Sequence, residues 1–343
     1  MRILYSLAGT SLKASSRVRG YWVAEELIRL GHVCTLMPQL KRSDIIKLAR
    51  EIIRHDVIIF QKTYGRYDNY LQSFAIALGK ATYVDIDDAP SLNNDTRTLR
   101  RFEMMVEKSN AIFAGSQMLL DYTKKYNINS HKIPSSIKLC NYKGKEPSTE
   151  AERGGKVCLG WIGNGAHYGI DLKTILQAPL EALSKSHQIK LKIVGVCENP
   201  VINNTFSNIA GLDYEGIDTI EWANSVAVAE HLKSFDIGLY PLIQNSFNSF
   251  KCGFKALEYM ASGQPVVSSD VAMNRDIVIN NKNGYLVNSS AEWIRALEEL
   301  IYSAELRNQM GIAGRKLVES KYSTEAIAKN ISDILTNRHT LDH

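Results

Sequence analysis

Short apolar or β-branched runs alternate with amphipathic stretches along this 343-residue chain, and the alternation occurs twice. In the first half the runs are RILYSL (2–7), HVCTLMP (32–38), DVIIFQ (56–61), ATYVDI (81–86) and AIFAGS (111–116). Between them the 3.6-residue period predicts helices near 19–30, 43–54, 70–79 and 98–108. Parallel strands need a crossover at every connection, so this pattern predicts an α/β fold, a doubly wound parallel sheet with helices on both faces.

A polar stretch at 145–155, KEPSTEAERGG, has no period and reads as a linker. The alternation then resumes with KVCLGWIG (156–163), KLKIVG (190–195), DTIEW (218–222), FDIGLYPL (235–242) and PVVSS (265–269), with a helical pattern at 225–233. Residues 291–335 read as helical throughout, and the amphipathic segment 324–335 is able to cover either domain. The expectation is two Rossmann-like doubly wound domains facing a cleft, at 1–150 and 151–322, with a C-terminal helix in 323–343 packing back on the first. Ligands of open α/β sheets bind outside the carboxyl ends of the strands, so function is sought in the strand-to-helix loops.

Several classes of chemistry are disfavoured at once. Five widely spaced cysteines with no CxxC support neither a disulfide framework nor a zinc site, and a reducing cytoplasm is the simpler setting. The eight histidines never fall at HxxxH or HExxH spacing, and no GxSxG occurs. Met1 leads directly into a strand pattern, and no apolar run approaches the roughly 18 to 20 residues a membrane span needs, so a protein neither exported nor transmembrane is expected. The formal charge of +5 suits anionic small molecules, a membrane surface or weak nucleic-acid contact without choosing among them.

The segment FKCGFKALEYMASGQPVVSS (250–269) predicts a helix over 254–262 stopped by Gly263. Gly253 at its N-cap offers no oxygen, which leaves the amides of Phe254, Lys255 and Ala256 for an anion, with Lys255 and Lys251 adding positive charge. Glu258, one turn on, has two carboxylate oxygens able to accept from a vicinal diol such as a ribose. Diphosphate at the helix tip and ribose beside it make a nucleotide-sugar site. The competing reading is a glutamate that merely suits the N-terminal dipole and a solvated lysine.

Three other loops carry candidates. GNGAH supplies Gly163, Asn164, Gly165 and His167 after a strand, where glycines admit a phosphate or sugar; it is not GxGxxG, and a plain tight turn is the alternative. In DIDD (85–88), Asp85 and Asp87 share a face and Asp88 takes the other if the strand continues. That cluster suits a divalent metal or a carboxylate beside a reacting hydroxyl, or an Asx turn capping NNDT. The loop AGTSLKASSRVRG (8–20) brings Arg17 and Arg19 to a helix start as phosphate ligands, although Arg19 reads equally as a surface residue. Lys41, Arg42, Lys47, Arg50 and Arg54, interrupted by Asp44 and Glu51, form either a solvated helix face or an anionic-membrane patch.

In order, SSRVRG with AEELIRLGH, YVDIDD, GSQMLLDYTKKYNI before IPSSI, GWIGNGAH, LKIVG, FDIGLYPL and FKALEYMASGQPVVSS resemble glycosyltransferases of the GT-B fold, retaining family 4 (glycosyl transferases group 1). The resemblance implies transfer of a sugar from an NDP-sugar co-substrate to an acceptor hydroxyl, with retention, no metal and no other cofactor. It also implies a role in bacterial surface polysaccharide or glycolipid synthesis, a glycan or glycolipid acceptor, no nucleic-acid partner, and a cytoplasmic location with peripheral contact at the inner face of the membrane. Glu258 matches the second of the family's two glutamates separated by seven residues, the ribose ligand, whereas the sugar-contacting first one falls on Phe250. Asp87 stands where the family has a histidine near the reaction centre, so Asp87 and Asp88 are the catalytic candidates. Gly163, Asn164, Gly165, His167, Lys251, Gly253, Phe254, Lys255, Glu258 and Arg17 form the donor-binding set, with Lys255, Lys251 and Arg17 stabilising the leaving diphosphate. A non-catalytic nucleotide-sugar-binding subunit, a metal-dependent transferase using DIDD and an NDP-sugar epimerase stay open as alternatives.

Overall fold

A computed structural model describes residues 1–39, 44–88, 95–143 and 155–339. They form two compact units: Met1–Lys138 with Ser249–Cys252 and Lys321–His343, and Leu139–Asn248 with Gly253–Ser320. Most of the linker stretch at 145–155 lies outside the described residues, as do Lys41 and Arg42 and the asparagines of NNDT. Asp95 of that segment caps the helix Thr96–Lys108, accepting from the Arg97 amide at 3.0 Å.

The first unit holds a parallel sheet of β1 (Arg2–Leu7), β2 (Val33–Pro38), β3 (Val57–Gln61), β4 (Ala81–Ile86), β5 (Ala111–Ala114) and β6 (Ser130–Lys132) in the order β2-β1-β3-β4-β5-β6. Leu4 pairs with Thr35 on one side and Ile58 on the other. Successive side chains of a strand face opposite ways, so each central strand feeds two cores. Ile3, Tyr5, Val57, Ile59, Tyr83 and Phe113 fill one face, while Leu4, Ile58, Phe60, Val84 and Ile112 fill the other with Phe102. The first face is completed from the far end of the chain, by Ile327, Ala328, Ile331 and Leu335 of the helix Thr324–His339, which lies against Trp22–Arg29.

The second unit repeats the architecture with β7 (Val157–Ile162), β8 (Ile189–Val194), β9 (Asp213–Ile217), β10 (Ile237–Tyr240), β11 (Val266–Ser269) and β12 (Gly284–Val287) in the order β12-β11-β10-β7-β8-β9. Counted from β7, this is the Rossmann order, and the first sheet has the flavodoxin-like one; both reverse direction beside their first strand. The expected pair of Rossmann-like doubly wound units is present. The helix Phe254–Ala261 is pinned beside the reversal by Tyr259, whose hydroxyl accepts from the Ile162 amide and donates to the Leu239 carbonyl, both at 3.1 Å. Gly238 makes room for that tyrosine, because a Cβ there would lie 2.4 Å from its ring.

Apart from the short edge strands β6 and β12, which the sequence did not announce, the main departures from the expected elements are three. The strand expected at 218–222 is β9, five residues earlier, and its carboxylates pair with neighbouring lysines: Lys190 and Lys192 with Glu215, Lys156 with Asp213. A charged edge strand of this kind escapes a search for apolar runs. The helix expected at 19–30 begins earlier, at Ala14–Ser16, and passes through a π-helical turn, Arg17–Tyr21, into Trp22–Arg29. The helical run 291–335 is broken at Ser303, which caps Ala304–Leu317 by accepting from the Leu306 amide at 3.1 Å, and again before Thr324. All five cysteines are free, and among the described residues no helix is long and apolar enough to cross a membrane.

Candidate functional site

In the second unit the strand order reverses between β7 and β10, where the carboxyl ends of neighbouring strands part and leave a crevice. Lys255, in the first turn of Phe254–Ala261, reaches into that position. Its Nζ lies 4.3 Å from the ring centre of Tyr168, 5.4 Å from Tyr240 and 5.6 Å from Trp161. Three aromatic faces surround the ammonium, and among the described residues no carboxylate forms an ion pair with it. Its Cε passes 2.4 Å from where a Cβ on Gly163 would stand, so Gly163 and Lys255, singled out separately in the sequence, meet.

The helix bearing Lys255 starts on Gly253, which has a left-handed backbone (φ 67°) and supplies no side-chain cap. Helices beginning at Gly165, Pro200, Ser225, Ser290 and Ala304 are instead capped by Asn164, Asn199, Asn224, Ser289 and Ser303. The partial positive charge of this N-terminus therefore adds to that of Lys255. Phe254 is half-buried in the same turn. Glu258 lies one turn on, on the same helix face as Lys255, and its Oε1 accepts from the hydroxyl of the buried Tyr142 at 2.9 Å.

GNGAH runs from the end of β7 directly into a helix. Asn164 caps the helix Gly165–Leu183, accepting from the Ala166 amide at 3.1 Å, and His167 is exposed in its first turn. Gly165 answers to backbone crowding: a Cβ would stand 2.5 Å from the carbonyl oxygens of both Gly195 and Val196. Its amide donates to Gly195 O at 2.7 Å, tying the loop after β7 to the one after β8.

In the first unit the reversal falls between β1 and β3. Arg19 is not a surface residue. It is buried and donates from Nε and Nη2 to the two carboxylate oxygens of Asp85 at 2.7 and 2.9 Å, so both are committed to each other. Arg17 donates to the carbonyls of Ser11 and Leu12 at 3.0 and 3.2 Å and lies over Trp22, bracing the first loop. The β4 strand ends at Ile86, so Asp87 and Asp88 do not take opposite faces. Both carboxylates turn to Lys62, whose Nζ is 3.3 Å from Asp87 Oδ1 and also pairs with Asp88 Oδ2. Burial works against the Lys62 charge, but Asp87 and Asp88 outweigh it and hold the ammonium protonated above lysine's ordinary range. Lys62 itself sits in a left-handed conformation, φ 52°, just past the end of β3.

The segment Ser249–Cys252, with Lys251, belongs to this first unit, whereas Lys255 belongs to the second. Phe250 packs on the apolar cluster of that unit. Cys252 donates from Sγ to the Asp87 carbonyl at 3.2 Å, and burial, aided by the Asp87 charge, pushes its thiol up to about 12. Among the described residues no group of three or more His, Cys, Asp or Glu is arranged to hold a metal. Tyr142, Lys62 and the aromatic trio around Lys255 carried no motif by which the sequence could announce them. Lys62 alone left a trace, as a charged residue at the end of an apolar strand.

Residues 156–303, within the second unit, match the model of the family described as glycosyl transferases group 1. The chain is 24% identical over 161 residues to the capsular polysaccharide biosynthesis glycosyltransferase CapM of Staphylococcus aureus, covering 44% of this chain and 39% of that one. Stretches matched in the curated relatives span 21 to 39% of those proteins' own lengths. Among solved structures, HepE of Anabaena in complex with UDP aligns over 98% of this chain and 100% of its own at 12% identity and a TM-score of 0.74. Sucrose-phosphate synthase of Thermosynechococcus elongatus aligns over 99 and 100% at 12% identity and a TM-score of 0.70. These likenesses establish the fold as that of the GT-B class.

Proposed function

We propose that this chain is a glycosyltransferase that moves a sugar from a nucleoside-diphosphate donor, bound by the second unit, to a hydroxyl of an acceptor bound by the first. The observation that carries the reading is the uncapped helix Phe254–Ala261, which presents amides, an ammonium and a carboxylate within one turn. An anion of two phosphates suits the amides and Lys255, and a ribose diol suits Glu258. The family match over 156–303 covers this helix, and the likeness to CapM supports a pathway of surface polysaccharide or glycolipid assembly.

In the transfer, the bond from the sugar C1 to the diphosphate oxygen breaks and one to the acceptor oxygen forms. Charge that develops on the leaving diphosphate meets Lys255 and the helix N-terminus, already oriented. Asp87 and Asp88 are the carboxylates offered to the reacting hydroxyl, held by Lys62. We read the reaction as retaining, as the resemblance to the family implies, and as metal-independent, because the cation already seated on both aspartates is a lysine. Turnover is then indifferent to EDTA; loss of activity on chelation and its return with a divalent ion would instead favour a metal site on Asp87 and Asp88. Donor turnover without an acceptor would point to an epimerase, and donor binding without turnover to a non-catalytic subunit.

A thermal-shift series with UDP, GDP and ADP tests the donor site directly. At least one is expected to raise Tm by several degrees at about 100 Kd, equivalent to about 2.7 kcal/mol. Glu258→Ala should lower that affinity about tenfold or more, as loss of hydrogen bonds to a charged group implies. Equal shifts in wild type and variant would remove Glu258 from the site.

A further inference from the structure

We infer that Tyr142 is a positioning residue for the nucleotide ribose, acting through Glu258; the inference rests on the reading of Glu258 as the ribose ligand. Tyr142 belongs to a short strap that opens the second unit, beginning with the 3-10 turn Leu139–Asn141. The strap is tied down at both of its last residues. Asn141 donates from Nδ2 to Ser225 Oγ at 2.6 Å, fixing the strap to the helix Ser225–Lys233. Arg315 donates from a single Nη1 to the Tyr142 carbonyl at 2.5 Å and to the Ala261 carbonyl, while its Nε donates to Glu319 at 2.8 Å. One guanidinium thus fastens the backbone of Tyr142 to the last residue of the helix that carries Glu258.

The Tyr142 side chain is 1% exposed, and its hydroxyl donates to Glu258 Oε1. A glutamate near a helix surface has several staggered rotamers and a broad terminal torsion. A hydrogen bond from a side chain that is itself immobile selects one rotamer and sets the plane of the carboxylate. Each carboxylate oxygen has two acceptor positions, so the tyrosine hydroxyl by itself does not exhaust the acceptor sites that a vicinal diol would use. Fixing it before the ligand arrives removes the ordering loss that binding would otherwise carry. A tyrosine serving only the core has no need of this particular carboxylate, and the difference is measurable.

The experiment compares the affinities of UDP and 2′,3′-dideoxy-UDP, or of the corresponding pair for whichever base binds tightest, in wild type, Tyr142→Phe and Glu258→Ala. Wild type is expected to prefer the ribo form by about tenfold, the worth of roughly one hydrogen bond to a charged group. Tyr142→Phe should keep the dideoxy affinity while its ribo affinity falls about fivefold, which moves the preference toward that of Glu258→Ala. If Tyr142→Phe retains the full wild-type preference, or weakens both ligands equally, Tyr142 has no positioning role. A wild type without ribose preference would instead overturn the reading of Glu258, and the inference with it. Should Phe at 142 unfold the second unit, Arg315→Gln loosens the same strap from outside; an unchanged ribose preference there overturns the inference equally.

Discussion

Gly163 and Gly165 stand two positions apart and answer to different neighbours, one first to the flexible end of Lys255 and then to the edge of the Trp161 ring at 3.0 Å, the other to two carbonyls. Gly163→Ala should displace the end of Lys255 and weaken nucleoside-diphosphate binding about three- to tenfold, with Tm nearly unchanged. Gly165→Ala drives a Cβ into backbone that has no room to yield, and overpacking of that kind destabilises by about 1–3 kcal/mol. Its signature is a Tm lower by several degrees, read by scanning calorimetry, with ligand affinity preserved in the folded fraction. Arg19 sets a third expectation. Arg19→Met leaves the Asp85 carboxyl buried without its partner, a loss of about 3–5 kcal/mol, and Arg19→Met with Asp85→Leu should recover much of it. The sequence displayed all of these residues, but it read Arg19 as a surface or phosphate-binding side chain because Asp85, its partner, lies across the sheet. Burial of one charge depends on a second that only the folded sheet brings near.

Most of the strands were legible as elements because a doubly covered strand is apolar on both faces, as β1 and β3 are. Edge strands are not bound by that rule. β6 is three polar residues, SHK, and β9 carries paired charges, so neither offers an apolar run. The helix Phe254–Ala261 was legible from its two glycines, Gly253 and Gly263, both with positive φ. Its dependence on Tyr142 was not, since a hydrogen bond across 116 positions leaves no local pattern. The turn after β4 shows the same division: the aspartates are conspicuous and Lys62 is not. Lys62→Met should leave nucleoside-diphosphate affinity unchanged while lowering transfer to acceptor by about tenfold or more. Equal turnover in variant and wild type, followed with a donor and a panel of acceptor glycans, would remove the aspartate pair from the chemistry.

At the scale of the molecule, two α/β units were expected and two are present, yet the sequence order does not follow them. Met1–Lys138 ends before the first unit is complete, because one face of its sheet is closed by the helix Thr324–His339. Large-to-small changes at such core positions cost about 2–5 kcal/mol each, so Ile327, Ile331 and Leu335 together are worth about as much as the whole margin of an ordinary domain. A fragment of residues 1–138 is therefore expected to be poorly folded by circular dichroism and prone to aggregate. Joining residues 321–339 to it through a flexible linker should restore a cooperative transition; a stable, monomeric 1–138 would contradict this account of the core.

That closing helix also sets a timetable. Between Lys138 and Lys321 the ribosome must add the whole second unit, which at ordinary rates takes roughly 10 to 40 s. Throughout that interval one side of the first unit's sheet is covered only in part, by Val23, Ala24 and Leu27 of the helix Trp22–Arg29. Of these two units the one begun earlier is thus the later to be finished, and a nascent chain paused within the second unit is the form in which chaperones should find it.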